Sequence, residues 1–423
     1  MDGASRPGGI DASVHVSTLL TRAQVHGSVA MTTAVQTLTA FAVAIPSVLA
    51  IVAAPDLGMP PARVGILVSI FFCAAIVSGL LSGSMSRRFG PIATLRLCVL
   101  LIAVALGVAA GAHVVLVIAF AILAGIAHGV VNPVSSQVLS QAVPPRQRSF
   151  MFSIKQTGVP MGSAVAGLLL PPLLLLVSWQ QAMVFLALGS LTLLLALRPF
   201  YSLFDSERDA GASIMFSGVR ESFAEIAGNP RVLQLVLAAT AFAFVQLAVT
   251  TFLIIYLHAE LEYSLVAAGA VFSAMSVASV FGRVFWGWLA DRTGKPRRVL
   301  AGLGFLMGAC CLAGGLFSNA WPSWSVTLIA MIWGGSAVAW NGVFLAEIAR
   351  LAPPGKVAGM TSSVQAVFFT GSLVGAPLFG AIADSVGSFG PCYLVLALLP
   401  VSFGIALLRS SFVAARDLSA GGQ

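Results

Sequence analysis

Residues Gly282–Arg298 read GRVFWGWLADRTGKPRR, and a weaker copy, GLLSGSMSRRFGP, occupies Gly79–Pro91. Gly83, Arg88 and Gly90 of the first copy match Gly287, Arg292 and Gly294 of the second at a constant offset of 204. Each copy closes a long apolar run and sets arginines beside glycines, the composition of a tight basic turn between two membrane helices. One such turn per half-chain implies two related helix bundles in a single bilayer.

Working outward, the 423 residues are 58% hydrophobic and only 9% charged, with mean hydropathy +0.99. A soluble chain carries about 25% charged residues, so lipid is the solvent this composition suits. A spanning helix needs roughly 20 apolar residues. Twelve runs qualify, at roughly 29–53, 63–85, 92–111, 114–140, 149–177, 180–200, 231–258, 265–290, 298–318, 323–350, 357–384 and 389–412. Barrel strands would be shorter and would alternate polar with apolar residues, so the expectation is an all-α membrane protein with twelve transmembrane helices. The five cysteines (Cys73, Cys98, Cys310, Cys311, Cys392) lie in or beside these runs and read as small packing residues. No Cys/His spacing suits a metal site, and no motif asks for a cofactor.

The formal net charge of +8 is distributed by topology. Alternating the runs across a bilayer puts seventeen Arg and Lys residues, from Arg87 to Arg416, on one side. The other side holds Arg63 with Asp56, Glu260 and Glu262. This is the positive-inside asymmetry. It places both termini in the cytoplasm of a multi-pass cell-membrane protein, the inner membrane if the chain is bacterial. The basic balance therefore reports orientation and gives no reason to invoke nucleic acid. Residues 1–28 carry charges and no apolar h-region, so they read as a cytoplasmic tail and not a signal peptide; residues 413–423 form the opposite tail.

The longest polar interval, 201–230, lies centrally and joins two six-helix halves, 29–200 and 231–412. Within it Phe216, Val219, Phe223 and Ile226 recur at helical spacing opposite Arg220, Glu221 and Glu225, a pattern for a short amphipathic helix at the membrane surface. The halves repeat each other beyond the hairpins. Aligning 125–163 with 334–372 gives ten identities, among them Asn132/Asn341, Gln156/Gln365, Gly162/Gly371 and the pairs Pro144-Pro145/Pro353-Pro354. Internal repeats of this kind are typical of secondary transporters.

The motif G-x-L-A-D-R-x-G-K at 287–295, its echo at 83–90, twelve spans and a long central loop together resemble the major facilitator superfamily, over essentially the whole chain after residue 28. The resemblance implies a 6+6 bundle whose midplane cavity opens alternately to each side. It also implies that Asp291 caps the N-terminus of helix 5 in the opposite half while Arg292 braces the turn. A carboxylate there stabilises by about 0.3–1 kcal/mol. The residue matching Asp291 in the first copy is Arg87, a cation that cannot cap a helix N-terminus. The expectation is therefore a latch formed by Asp291, Arg292, Gly287 and Gly294 that dominates the one formed by Gly83, Arg88 and Gly90.

Lys155 on span 5 and Arg283 on span 8 sit roughly 9–12 Å from the hairpin-side helix ends, at 1.5 Å per residue. Ionisable groups at such depth are costly and mark function. Two cations at one depth call for an anion between them. The chain distantly resembles the oxalate:formate and monocarboxylate porters, whose substrate-binding cations lie on spans 8 and 11. Arg283 occupies the matching place on span 8, whereas span 11 carries Gln365 and the second cation, Lys155, lies on its repeat mate. The alternatives are that Lys155 snorkels to the interface and that Arg283 binds a carbonyl or Glu347.

Further candidates for the cavity wall are His128 and Asn132, which share a face of span 4, Trp340 and Asn341 on span 10, and Gln156 with Gln365. Interhelical hydrogen bonding is the structural alternative. His128 and Glu347 are the candidate proton carriers, although Glu347 also stands three residues before Arg350, the spacing of an ion pair. No Walker loop is present, and no clustered nucleophile or carboxylate set indicates an enzyme. The reading is a monomeric secondary transporter working with a small-molecule substrate and protons, for an organic anion by symport or exchange. Efflux of amphipathic compounds by proton antiport is the alternative, and a channel or membrane-embedded enzyme the remote one.

Overall fold

The computed structural model describes residues 20–58, 60–144, 148–206, 208–214, 219–352 and 357–420. Among them are twelve helices long and apolar enough to span a membrane: α1 (Arg22–Leu57), α2 (Pro61–Phe89), α3 (Pro91–Ala109), α4 (Val114–Ala142), α5 (Ile154–Leu176), α6 (Trp179–Phe204), α7 (Pro230–Ala259), α8 (Leu265–Thr293), α9 (Pro296–Gly315), α10 (Ser323–Leu351), α11 (Ser363–Val386) and α12 (Phe389–Arg409). No strand occurs among the described residues. The first helix begins seven residues before its apolar run because Thr21 and Gln24 form a capping box there. Of the expected amphipathic helix, Val219–Gly228 is helical and Ile226 is buried; Phe216 lies outside the described residues, as do Pro145, Pro353 and Pro354.

Helix ends follow local chemistry. Asn229 caps α7 by accepting from the N–H groups of Arg231 and Val232, with Pro230 in the first helical position. Gly294 stops α8 in the left-handed conformation (φ +60°), where its N–H donates to the Ala290 carbonyl at 3.0 Å. Gly90 has φ +92°, and a Cβ there would also lie 2.4 Å from Asp205. Both the backbone and the neighbour therefore require glycine at Gly90.

Asp205, just past α6, fastens this first hairpin. Its carboxylate accepts from the N–H groups of Ile92 and Ala93, each at 2.8 Å, and the Asp209 N–H donates to the Arg87 carbonyl at 2.9 Å. Burial lifts the Asp205 carboxyl above the ordinary carboxylate range, opposed by those two donors and by the charges of Arg208 and Arg96.

On the side away from the hairpins the two halves meet closely. A Cβ on Gly65 or Gly380 would approach the carbonyl of Ala376 or Ala62 to 2.5 Å, and one on Gly167 would approach that of Gly269 to 2.7 Å. Ser69 and Ser273 donate across the same seam to the carbonyls of Leu373 (2.5 Å) and Ala164 (2.8 Å). Small residues let helix backbones approach in this way. Gly162 and Gly371 play the matching part within each half, against α1 and α7. The state seen here is closed on the far side.

Candidate functional site

A cavity of about 130 Å³ lies between the halves. Its walls come from α1, α2, α4, α5, α7, α8, α10 and α11; α3, α6, α9 and α12 contribute nothing to it. Phe72, Phe272, Phe368 and Phe369 supply aromatic surface. The polar wall includes Gln36, His128, Asn132, Gln156, Gln246, Asn341 and Gln365. Among the described residues lining the cavity, Arg283 is the one Arg or Lys, and there is no Asp or Glu.

Arg283 is held by two helix breaks. The helical stretch Arg148–Gln156 is separated from Gly158–Leu176 at Thr157, and α10 is interrupted between Ala337 and Asn341. Such breaks leave carbonyls without a helical donor, which other groups then satisfy. One terminal nitrogen of Arg283 donates to the Gln156 carbonyl at 3.0 Å and the other to the Val338 carbonyl at 3.1 Å. The guanidinium thus ties α8 to the broken part of α10 and to α5 of the other half. Its Nε, also buried, has no partner.

Lys155 takes a different direction from the one expected. It is fully buried and does not line the cavity. Its ammonium donates to the side-chain and main-chain oxygens of Asn132 on α4. The expected pair of cations facing one anion is therefore replaced by two separately partnered cations, because an amide oxygen within Lys155's own half satisfies it. Asn132 passes the chain onward: its Nδ2 donates to Gln365 Oε1 at 3.0 Å, linking the halves across the cavity.

The repeat-related residues are arranged otherwise. Trp340 is fully buried behind the cavity wall and donates from Nε1 to Gln246 Oε1 at 3.1 Å. Asn341 Nδ2 reaches the same oxygen at 3.5 Å. His128 is framed by Phe71, Phe72 and Phe369 with ring centroids 5.4, 6.1 and 6.3 Å away, and its buried Nδ1 has no partner. Gln156 lines the cavity as expected.

Glu347 does not line the cavity. Its fully buried carboxylate is bidentate with Arg350, both contacts at 2.7 Å, and lies 3.5 Å from Arg297 Nε. The i,i+3 spacing read from the sequence is thus an ion pair, joined by a second guanidinium from α9. In the second hairpin Asp291 is exposed and meets no hydrogen-bond or ion-pair partner among the described residues. The helix start it was expected to cap, near residue 149, directly follows residues 145–147, which lie outside the described residues. Arg292 packs over the Trp288 ring at 5.4 Å and Arg88 over Phe89 at 5.7 Å. A Cβ on Gly83 or Gly287 would meet open space.

Sequence reasoning missed Gln36, Gln246, Asp205 and Arg297. The glutamines carried a signal: Val35-Gln36 and Val245-Gln246 are the same dipeptide at an offset of 210, on the first helix of each half. Asp205 carried none, since its partner hairpin lies more than a hundred residues away.

A family model for the Major Facilitator Superfamily matches residues 32–358. An uncharacterised MFS-type transporter of Mycobacterium tuberculosis is 26% identical over 77% of this chain and 72% of its own length. A gallate transporter of Pseudomonas putida is 27% identical over 61% of this chain and 63% of its own. Among solved structures, a bacterial homologue of the human lysosomal transporter Spinster, inward-facing and unoccupied, superposes with a TM-score of 0.71 at 16% identity, covering 94% of this chain and 98% of that one.

Proposed function

The chain belongs to the major facilitator superfamily, and on that premise we propose that this secondary transporter moves a small organic anion, a carboxylate, by alternating access. One observation carries the reading: the charged wall of the cavity is a guanidinium with an unpartnered N–H, and no acid faces it among the described residues. A carboxylate entering the cavity finds a charge-assisted donor already held in place by two carbonyls. A cationic substrate meets the like charge of Arg283 with no carboxylate among the described lining residues to offset it. That gallate and hexuronate transporters are among the relatives is consistent with this.

The halves 29–200 and 231–412 rock about the cavity, with the joint 201–230 between them. The far-side glycine seam separates in one state and the hairpin side closes. Positive charge on the hairpin side supports an orientation with both termini in the cytoplasm of the cell membrane. Coupling to protons by symport or exchange is part of the proposal. His128, in the cavity and unpartnered at Nδ1, is its candidate carrier in place of Glu347. A single chain encloses the whole cavity, which supports a monomer as the working unit.

The test is uptake into proteoliposomes of a panel of mono- and dicarboxylates, with and without a pH gradient. Arg283→Gln is expected to lower carboxylate kcat/KM by roughly a hundredfold, the value of a charge-assisted bond, while the protein still inserts and elutes as a single species. Full activity in that variant, or uptake of lipophilic cations alone, would defeat the anion reading.

A further inference from the structure

Seven buried side-chain polar atoms among the described residues lack a hydrogen-bond partner, and three of the seven belong to one cavity: Gln36 Oε1, His128 Nδ1 and Arg283 Nε. Native proteins pair nearly all buried polar atoms, so such a concentration at a ligand-sized void points to groups that a substrate completes. Arg283 accounts for the anionic end. Gln36 asks for something else.

Gln36 is 2% exposed, and its buried Oε1 has no hydrogen-bond partner among the described residues. Its repeat mate shows that this is not a general property of the position. Gln246 Oε1 accepts from both Trp340 and Asn341. The corresponding place on α4 offers Val131, which has no donor, and Asn132, whose amide is committed to Lys155 and Gln365. One half thus pairs its glutamine oxygen internally while the other leaves that oxygen open at the cavity.

We infer that Gln36 is the specificity-determining contact for a hydroxyl group on the substrate, so that the transporter selects hydroxylated carboxylates over their unhydroxylated analogues. A hydroxyl suits an unpaired amide because it both donates and accepts. It pairs with Oε1 in one amide orientation and with Nε2 in the other. An analogue lacking the hydroxyl leaves the buried amide unmatched, and that desolvated group opposes its binding. This rests on the anion reading above, in which Arg283 holds the carboxylate.

The experiment compares uptake of benzoate with that of its 2-, 3- and 4-hydroxy derivatives, and of propionate with lactate, in the same proteoliposomes. The wild-type protein is expected to favour at least one hydroxylated member over its parent by about tenfold, the value of one neutral hydrogen bond. In Gln36→Leu that ratio falls to about one, whereas Gln246→Leu keeps it. Gln36→Met, which preserves the side-chain length, repeats the measurement should the leucine variant fail to insert. A wild-type ratio near one with carboxylate uptake intact would overturn the role of Gln36 and leave the anion reading standing. A ratio unchanged in Gln36→Leu or Gln36→Met does the same. Absence of carboxylate uptake of any kind overturns both.

Discussion

The two basic hairpins share a turn and differ in how they are fastened. At the first, Gly90 turns the chain from α2 into α3, and a carboxylate arriving from the far end of its own half, Asp205, holds the N-terminus of α3. At the second, Gly294 makes the equivalent turn, but the anchoring charge is a cation. Arg297 reaches the buried Glu347 on α10 and the Arg231 carbonyl on α7. Among the described residues, the acids that fasten the two turns, Asp205 and Glu347, both come from outside the sequence motif. Arg87 stands at the place of the motif acid in the first hairpin, and Asp291 is exposed in the second. The motif therefore encodes the turn, through glycine and a following proline, while the acids that fasten it, Asp205 and Glu347, are remote in sequence and differ between the halves.

The sharpest way to break this comparison is to remove the charge under the second hairpin. Glu347→Gln leaves Arg297 and Arg350 without their counter-ion. Breaking a buried pair at one partner costs about 3–5 kcal/mol. Arg350 is 66% exposed and recovers water, so the expected loss is near the lower bound, roughly 3 kcal/mol. Thermal unfolding of the detergent-solubilised protein reads this as a marked fall in Tm. An unchanged Tm would mean that the second hairpin is not held through Arg297.

A smaller effect is expected at the first hairpin. Asp205→Ala removes the carboxylate that satisfies two N–H groups of α3, and loss of such a cap costs about 1–2 kcal/mol. Because Asp205 also fills the space beside Gly90, the variant should loosen the turn itself. Hydrogen exchange at Ile92 and Ala93 should rise while α9 is unaffected. Equal acceleration at both hairpins would show that they are coupled rather than separately fastened.

The contrast explains what was legible in the sequence. The twelve spans, the two halves and the turns were readable because lipid demands long apolar runs and because glycine and proline act locally. The cavity residues on α4, α5, α8, α10 and α11 were readable because polar groups inside a membrane are few. Their partners were not. Lys155 and Asn132 are 23 residues apart, on successive helices, and only packing decides that the ammonium meets an amide rather than an anion. The helix breaks at Thr157 and Val338 were hidden as well, since neither carries a proline, and they determine what Arg283 binds. The Glu347–Arg350 pair was visible as an i,i+3 spacing, whereas Arg297 reached it from another helix.

The smallest expected effect falls on the motif acid itself. Asp291→Asn removes an exposed charge with no described partner, so stability should stay within about 0.5 kcal/mol of the parent. Its consequence belongs to the other state. If the resemblance holds, closing the halves on the hairpin side brings Asp291 to the N-terminal end of the helix that contains α5, where a carboxylate near free N–H groups contributes about 0.3–1 kcal/mol. Losing that contribution shifts the balance between the two states by roughly fivefold or less. A cysteine placed at the far-side seam, at Ser69 for instance, reports the shift as slower labelling in the Asp291→Asn background. Labelling at the parent rate would remove Asp291 from the closing of the hairpin side, leaving Arg297 and Glu347 as the charges by which the second hairpin differs from the first.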